Sequence, residues 1–433
     1  MTRAWEPLFL DISRLLWRAR RRTPSGIDRV ELAYAKHYLA SPQARKTYAV
    51  LHLFGMLFVI NRRGAIQFID GLSARWEGDI PLRHRPSQSA WPLYVRLIGH
   101  LFVGIYPLLF RRIVGPTQAL FIVVSHHHVA SRPAIRRLSR SYGMKTVCFV
   151  HDVLALDFPE YFPAWWKRWF TGILNNSRDS FAGIIVNSQC TARSLLRHRP
   201  LASRHDGRPT RVAPIGTKVF SGTGVAMDRP HFVMLGTIEP RKNPLLLLNL
   251  WARLAQSETA PPYLHLIGAR GWENEQILDM LDRCPRLRGL VIEHKAADDA
   301  TVAHYLKSAA ALLLPSFAEG YGMPLAEALA VGIPVICSDI PVFHEVGGAV
   351  PEFLDPLDTF AWSDMILEYS RPHSLRRQAQ LSRLTHWHAP TWDTHFAIVD
   401  ELLVHLETGQ DSSEATRDEE SEKSLVATVA RKV

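Results

Sequence analysis

The chain has 433 residues, of which 47% are hydrophobic and 21% are charged, a composition that excludes the disordered and fibrous classes. One hydrophobic core is not expected at this length, and two domains are predicted. The net charge of +10 is unevenly distributed, because residues 1–230 carry 34 Lys and Arg against 13 Asp and Glu, whereas residues 231–433 carry 17 against 28. The basic first half suits an anionic membrane, a lipid-linked diphosphate or nucleic acid, and charge alone does not choose among them.

Neither a secretory signal nor a membrane span is predicted. Arginines interrupt the start of the chain, so no apolar signal segment forms there. The longest uncharged apolar stretch, Leu97 to Phe110, has 14 residues and is too short to cross a bilayer. The four cysteines are far apart and form no CxxC pair, which is typical of free thiols in a reducing compartment. The expected location is cytoplasmic and peripheral, at the inner face of the membrane.

Short apolar runs alternate with helix-like segments, which predicts parallel βαβ units. The pattern restarts after a turn-rich segment, residues 216–230, which is the predicted linker. The expected domains are 1–215 and 231–390, followed by a helix over 391–406 that packs back toward the first domain and a disordered tail over 407–433. The predicted strands are Leu8–Ile12, Ala49–Phe54, Leu120–Val124, Thr146–Val150 and Gly183–Val186, then Phe232–Leu235, Leu264–Ile267, Leu290–Ile292, Leu312–Leu314 and Pro334–Cys337.

Two polar features of the first half fall at the predicted ends of strands or starts of helices. Ser25 and Asp28 are spaced as a capping box, and Gly26 between them allows close approach of the backbone to a phosphate, although a plain helix cap explains these residues equally well. The strand that ends at Val150 is followed by His151 and Asp152, which places both at the cleft between the domains. A lone histidine in such a position is more often structural.

Three further groups have competing interpretations. His126, His127 and His128 are consecutive, and consecutive residues on a strand point to opposite faces, so no metal site is assigned. The apolar stretch Leu97 to Phe110 and the aromatic and basic cluster Trp165 to Phe170 suit either core helices or a membrane interface. Both interpretations of these two segments remain open at this point.

The second half begins with a strand and a basic turn. The strand Phe232–Leu235 is followed by Gly236, and Arg241 and Lys242 come next in the loop that leads into an apolar helix. Asn243 is a natural N-cap and Pro244 a natural first helical residue. The loop therefore delivers a guanidinium and an ammonium group to the crevice, where they could neutralise a diphosphate. Without context, a basic turn before a helix is the simpler interpretation.

Two glutamates lie near the predicted start of a later helix. Pro324 suits the first helical turn, which places Glu319 in the preceding loop and Glu327 about one turn into the helix. The amides of Gly322 to Leu325 are expected to point into the same crevice. Two carboxylates and a helix N-terminus suit a ligand that carries hydroxyls and a diphosphate. By spacing alone, a solvated loop residue and an exposed helical residue explain the pair more simply.

The segment FAEGYGMPLAEALAVGIPVICSD resembles the E-x7-E donor motif of the retaining family 4 glycosyltransferases, whose members also carry an Arg-Lys pair after a Gly-containing strand end. The resemblance implies a GT-B fold with two Rossmann-like domains. It implies that Glu319 contacts the transferred sugar, Glu327 the ribose, and Arg241 and Lys242 the departing diphosphate. The other donor-site residues it implies are Gly26, Gly236, Gly320, Tyr321, Gly322, Met323, Pro324 and Leu325.

The resemblance also implies roles for the first domain. That domain would bind the acceptor, His151 would contact the sugar from across the cleft, and Asp152 is left as an acceptor-side base or orienter. No metal and no cofactor are expected beyond the nucleotide diphosphate sugar itself. The expected acceptor is a saccharide, free or linked to polyprenyl diphosphate, and similarity to bacterial polysaccharide mannosyltransferases suggests GDP-mannose as donor. The alternatives are a basic nucleic-acid- or membrane-binding module without catalysis, or a glycoside hydrolase.

Overall fold

The structure is a computed structural model that describes residues 7–21, 23–40, 45–53, 56–77, 119–126, 143–198, 208–295 and 297–408. Within these ranges the chain forms two sheets, one in each half, with helices packed on them. The strands of the first sheet are β1 Leu8–Asp11, β2 Thr47–Leu53, β3 Met56–Ile60, β4 Ala119–Val123, β5 Met144–Val150, β6 Phe181–Val186 and β7 Thr210–Val212. Those of the second are β8 His231–Leu235, β9 Tyr263–Ile267, β10 Val291–His294, β11 Ala311–Leu314, β12 Val335–Ser338 and β13 Glu352–Leu354.

The two sheets share a strand order. The first runs β3-β2-β1-β4-β5-β6-β7 and the second β10-β9-β8-β11-β12-β13. In each sheet, the order in which strands are added reverses between the first strand of the domain and the fourth, as in a doubly wound fold. All the described pairings are parallel except β2 with β3. Central strands such as β4 and β11 are buried along their whole length, because helices cover both faces of a parallel sheet.

Helices connect the strands in both domains. Those of the first domain are α1 Ser13–Arg18, α2 Gly26–Ala35, α3 Arg62–Glu77, α4 Leu154–Asp157, α5 Ala164–Ser180 and α6 Gln189–His198. Those of the second half are α7 Pro244–Ser257, α8 Glu275–Arg283, α9 Asp299–Leu306, α10 Met323–Ala330, α11 Pro341–Gly347, α12 Thr359–Ser370, α13 Leu375–Leu384 and α14 Trp392–Thr408. Short 3-10 helices cover Pro159–Tyr161, Pro240–Lys242 and Pro285–Leu287, and a π-helix over Lys36–Ala40 continues α2.

Each of the ten predicted strands is present, with ends shifted by one or two residues. Strands β3, β7 and β13 were not predicted. Strand β3 follows β2 after two residues, so the two form one apolar run in the sequence, and β7 and β13 have only three residues each. Short strands of this kind give no usable periodicity.

The last helix, α14, follows the second sheet in the chain but packs on the first domain. The Tyr34 hydroxyl lies 2.8 Å from Nε2 of His395, and the Tyr38 hydroxyl donates to Asp400 at 2.7 Å. Leu402 packs over Gly183 of β6, so closely that a Cβ there would lie 3.4 Å from the leucine. The helix ends at Thr408, two residues inside the predicted tail, and residues 409–433 lie outside the described ranges.

The aromatic and basic cluster divides between core and surface. On α5, Phe170 is buried, and the Trp166 ring lies 5.2 Å from that of Trp272 in the other domain. Trp165 on the outer face is 56% exposed, and its neighbours Lys167 and Arg168 are exposed as well. The core interpretation is thus confirmed for Phe170, whereas membrane contact by the exposed residues stays a prediction, and residues 97–110 fall outside the described ranges. None of the helices that the structure describes combines the length and the apolar character needed to cross a bilayer.

Candidate active site

The predicted site residues converge at the point in each sheet where the strand order reverses. In the second domain, the loops after β8 and β11 carry Lys242 and Glu319, and these strands are neighbours. In the first domain, the loop after β1 leads to Gly26, and the neighbouring strand β4 precedes His126. Ligands of open α/β sheets bind in the crevice outside such adjacent strand ends. The topology therefore brings the donor motifs to one cleft.

Glu319 lies between the two predicted cations. Nζ of Lys242 donates to Oε1 of Glu319 at 2.7 Å, and Nη1 of Arg241 lies 2.8 Å from Oε2. The Ser316 hydroxyl adds a third contact at 2.9 Å, and Arg241 also pairs with Glu239. The family resemblance implied that Glu319 contacts the sugar and the two cations the diphosphate. In the structure they form one buried charge cluster.

The charge of Glu319 follows from this cluster. Burial opposes ionisation of its carboxyl group, but Arg241 and Lys242 outweigh burial and lower its pKa to about 2. Glu319 is therefore an anion throughout the neutral pH range, with both oxygens in fixed positions. A fixed carboxylate of this kind can accept hydrogen bonds from sugar hydroxyls.

The turn that delivers the cations requires two unusual backbone conformations. Gly236 has φ of 139°, and a Cβ there would lie 2.9 Å from the Lys242 side chain, so glycine is needed for the lysine to pass. Asn243 occupies the N-cap position of α7 in the left-handed region, and Pro244 begins the helix as predicted. The expected side-chain cap is absent, because the Asn243 amide instead donates to the carbonyl of Pro356 at 3.0 Å.

The N-cap residue of helix α10, directly before Met323, is Gly322, which has the left-handed conformation with φ of 92°. The expectation of four free amides from Gly322 to Leu325 is wrong in part, because Pro324 has no N–H and the amide of Leu325 donates to Gly322 at 3.0 Å. The amides of Gly322 and Met323 have no backbone partner among the described residues. The hydroxyl of Tyr321 donates to the carbonyl of Ile215, directly before the predicted linker, at 3.1 Å.

Glu327 lies one turn into α10 and is buried, with 6% of its surface exposed. Burial raises its pKa to about 7, and the nearby Arg29 and Lys218 only partly oppose this effect. No hydrogen bond or ion pair of its carboxylate occurs within the described part of the chain. A buried carboxyl group without a partner is costly, and such groups in proteins usually have a role in a site.

The glycine loop of the first domain meets the same helix. Ser25 and Asp28 form the predicted capping box at the start of α2. A Cβ on Gly26 would lie 3.0 Å from Sδ of Met323, the first residue of α10, so the starts of the two helices are in contact across the cleft. Arg29, one turn further along α2, forms an ion pair with Asp299 of the second domain.

His151 and Asp152 also reach the loop that carries Glu319. The ring of His151, however, lies inside the first domain and not across the cleft, as the resemblance implied. Nε2 of His151 donates to the carbonyl of Val124 at 2.8 Å, and the ring packs against Phe149 inside the first domain. Burial holds the pKa of His151 well below its ordinary value, so the ring is neutral. The main chain of His151 and the side chain of Asp152 lie against Gly320, where a Cβ would approach both within 3.0 Å.

Several contacting residues were not predicted as part of the site. Glu239 and Ser316 hold the charge cluster, and Lys218 and Asp299 lie beside Glu327 with Arg29. Glu239 lies two residues before Arg241, and this position was the available signal. The contact between Arg29 and Asp299 spans 270 positions, and nothing in a single sequence indicates it.

The described ranges hold no group of three or more His, Cys, Asp or Glu around a common point. Of the three consecutive histidines, His126 accepts the backbone N–H of His151 at 3.1 Å. His127 and His128 lie outside the described residues. Arg241, Lys242 and the amides of α10 are the described groups available to a diphosphate.

Residues 217–349 match the model of the family described as glycosyl transferases group 1. This region is a group 1 glycosyl transferase domain. It contains both the Arg-Lys turn and the two glutamates, and it identifies the chain as a glycosyltransferase. The hydrolase and the non-catalytic module are thereby set aside.

Relatives and solved structures agree with the glycosyl transferase domain. The O-antigen chain mannosyltransferase B of Escherichia coli is 29% identical over 264 residues, 58% of this chain and 67% of that protein. The serotype-specific mannosyltransferase WbdA of Escherichia coli is 34% identical over 117 residues, 27% of this chain and only 14% of that protein. Sucrose-phosphate synthase from Thermosynechococcus elongatus aligns with a TM-score of 0.58 at 15% identity, over 94% of this chain and all of that one. This likeness confirms the two-domain GT-B fold.

Proposed function

We propose that the chain transfers a hexose from a nucleotide diphosphate sugar to a saccharide acceptor with retention of anomeric configuration, in bacterial polysaccharide biosynthesis. The donor we infer is GDP-mannose, because two relatives are named mannosyltransferases. The observation that carries the proposal is the ionised Glu319 held between Arg241 and Lys242 in the cleft. It offers an acceptor for sugar hydroxyls directly beside cations for a diphosphate.

In the proposed reaction, the hydroxyl oxygen of the acceptor bonds to the anomeric carbon on the face from which the diphosphate departs. The bond between that carbon and the diphosphate oxygen breaks, and the hydroxyl proton passes to the departing phosphate. Arg241 and Lys242 stabilise the charge that develops on this phosphate, and the amides of Gly322 and Met323 add hydrogen bonds. No carboxylate forms a covalent intermediate.

The proposed nucleotide position lies along α10. Glu327, buried and without a hydrogen-bond partner among the described residues, accepts the ribose hydroxyls in this proposal. Gly26 closes over the diphosphate from the first domain, since it already contacts Met323. From the first domain, the main-chain carbonyl of His151 and the side chain of Asp152 approach the sugar, since both lie against Gly320.

The test of this function is a panel of nucleotide sugars, including GDP-mannose, UDP-glucose and UDP-N-acetylglucosamine, each incubated with and without a mannoside acceptor. Transfer from GDP-mannose with an α-linked product by NMR supports the proposal. Transfer from a uridine donor alone overturns the donor assignment, and a β-linked product overturns retention. Absence of both transfer and slow donor hydrolysis across the panel overturns the function.

We also propose peripheral attachment to anionic membrane, with a polyprenyl-diphosphate-linked saccharide as acceptor. The support is the positive charge of residues 1–230 together with the outer face of α5, where Trp165 stands exposed beside Lys167 and Arg168. Tryptophan beside basic side chains is typical of the headgroup layer.

A further inference from the structure

A cavity of about 1090 Å³ lies between the domains beside Glu319. One wall is formed by residues 152–154, 157 and 158 and by α6, and the other by residues 317–320 and 340–342. Arg241, Lys242 and Glu327, which serve the donor in the proposed function, do not line it. The cavity therefore reaches Glu319 from a direction that the donor groups do not occupy.

The walls of the cavity are largely apolar. Leu154 and Phe158 contribute from the first domain, Val342 from the second, and Leu196 of α6 is 43% exposed. Apolar walls with few polar groups are typical of ligand pockets, whose volumes are usually about 300–1000 Å³. A volume slightly above this range accommodates more than one sugar ring, with the C–H faces of the rings against the apolar wall.

The charged side chains Asp157 and Arg193, which line the cavity, differ in their hydrogen-bond partners. Asp157 accepts hydrogen bonds from Ser194 and from the ring of His198 at 2.7 Å, so its carboxylate is already satisfied. Arg193 also lines the cavity, and its side chain is exposed. Within the described residues, its only polar side-chain contact is to Sγ of Cys190 at 3.4 Å. A thiol is a weak acceptor and does not neutralise a guanidinium group.

A guanidinium group without a carboxylate partner matches a phosphate or a carboxylate, because its planar fork can donate two parallel hydrogen bonds to either group. We propose that this cavity is the acceptor site and that Arg193 binds an anionic group carried by the acceptor saccharide. The inference rests on the proposed function and adds the chemical class of the acceptor to it. Arg193 then sets the preference for acidic over neutral acceptors, while the reacting hydroxyl lies near Glu319.

The test uses the full chain and three acceptors with the same terminal mannose. One is a neutral octyl dimannoside, one carries an octyl diphosphate, and one carries a glucuronate next to the terminal sugar. Arg193→Gln should raise KM for the acidic acceptors by about tenfold or more, with less than about a twofold change in KM for the donor and for the neutral acceptor. Arg193→Lys should recover part of the loss. The acidic acceptor with the larger loss identifies phosphate or carboxylate as the recognised group.

The control is Arg253→Gln, an exposed arginine on α7 outside the cavity. Equal losses on neutral and acidic acceptors, or no preference for acidic acceptors in the unaltered chain, would overturn the inference. Calorimetry with octyl diphosphate alone gives a second readout that needs no turnover. If donor hydrolysis fails but octyl diphosphate still binds in an Arg193-dependent way, the proposed function falls while the anion site stands.

Discussion

Glu319 and Glu327 are the same residue type in the same motif, yet their surroundings separate them. Burial disfavours the charged form of both carboxyl groups. Two cations in direct contact lower the pKa of Glu319 to about 2, whereas the more distant cations near Glu327 leave its pKa at about 7. At neutral pH, one group is a fixed anion and the other is partly protonated. The two glutamates are therefore suited to different tasks.

Replacing Glu319 should affect turnover and stability together. Glu319→Gln is expected to lower kcat by about tenfold or more, which corresponds to about 1.4 kcal/mol in the activation barrier. It should also lower the melting temperature, because Arg241 and Lys242 lose their shared partner. Steady-state kinetics and calorimetric unfolding measure both effects.

The matched control is Glu352→Gln, which removes a carboxylate paired with Arg383 in the same domain, away from the cleft. This variant should keep its kcat. A Glu319→Gln enzyme with full turnover would contradict the assignment of Glu319 to the donor sugar.

Glu327 should make stability depend on pH in a definite direction. Its pKa is 4.5 in a model peptide and about 7 in the fold, so the native state holds the proton more tightly than the unfolded chain between these values. Stability from this group is thus complete below pH 4.5 and is lost as pH rises toward 7, by a total on the order of 3 kcal/mol.

Glu327→Gln cannot ionise and should therefore lose less stability than the unaltered chain between pH 5 and pH 8. Urea unfolding of both proteins at several pH values measures the difference, and parallel stability curves would contradict it. The same variant should bind the nucleotide more weakly, because an NH2 group, which only donates, replaces one of the two carboxylate oxygens that accept from the ribose hydroxyls. Calorimetric titration with the nucleotide checks this second effect, and unchanged affinity would remove Glu327 from the ribose site.

Among the elements, the central strands and the donor loops were predictable and several contacts were not. The run from Ala311 to Leu314 is apolar throughout because both faces of its sheet are covered, and such runs stand out in a sequence. The start of α10 was predictable from Pro324. The hydrogen bond from the side-chain amide of Asn243 was not predictable, because its partner Pro356 lies 113 positions away and no local rule selects it. The pairing of Arg29 with Asp299 depends on how the two domains meet, which local propensity does not encode.

One contact between elements joins the domains directly. Glu345 on α11 accepts the backbone N–H groups of Gln189 and Cys190, at 2.6 and 3.1 Å, and thereby caps α6 of the other domain. A capping carboxylate contributes about 1 kcal/mol, which changes the ratio of closed to open forms by about fivefold. Glu345→Ala should therefore increase the radius of gyration in small-angle scattering and raise KM for both substrates.

The control for this contact is Glu368→Ala, whose carboxylate binds Arg371 and Ser374 within the second domain. It should change neither quantity. If Glu345→Ala leaves scattering and both KM values unchanged, the contact does not contribute to closure.

For the whole molecule, charge separation between the halves predicts salt-sensitive membrane binding. Each basic residue close to an anionic surface contributes about 1 kcal/mol, and the attraction fades over about 8 Å at physiological salt. At low salt, the full chain should sediment with anionic vesicles and only weakly with neutral vesicles. Salt does not weaken the burial of the Trp165 side chain in the membrane interface, so part of the binding should survive high salt.

Two variants separate these contributions. Lys167→Glu combined with Arg168→Glu should reduce binding at low salt, and Trp165→Ser should reduce the fraction that survives high salt. Arg253→Gln in the second domain serves as control. If the full chain stays in the supernatant with anionic vesicles at low salt, the positive charge of the first half has another purpose.

The return of α14 to the first domain means that the chain crosses between its halves twice. A fragment ending at residue 215 would leave uncovered the surface of β6 and α2 that Leu402 and Phe396 now shield. A fragment starting at residue 231 would carry the same helix with its apolar side unmatched. Neither half is thus an autonomous folding unit as a contiguous piece. The shortest self-contained first domain has to be discontinuous, with residues 391–408 supplied by fusion or as a separate peptide.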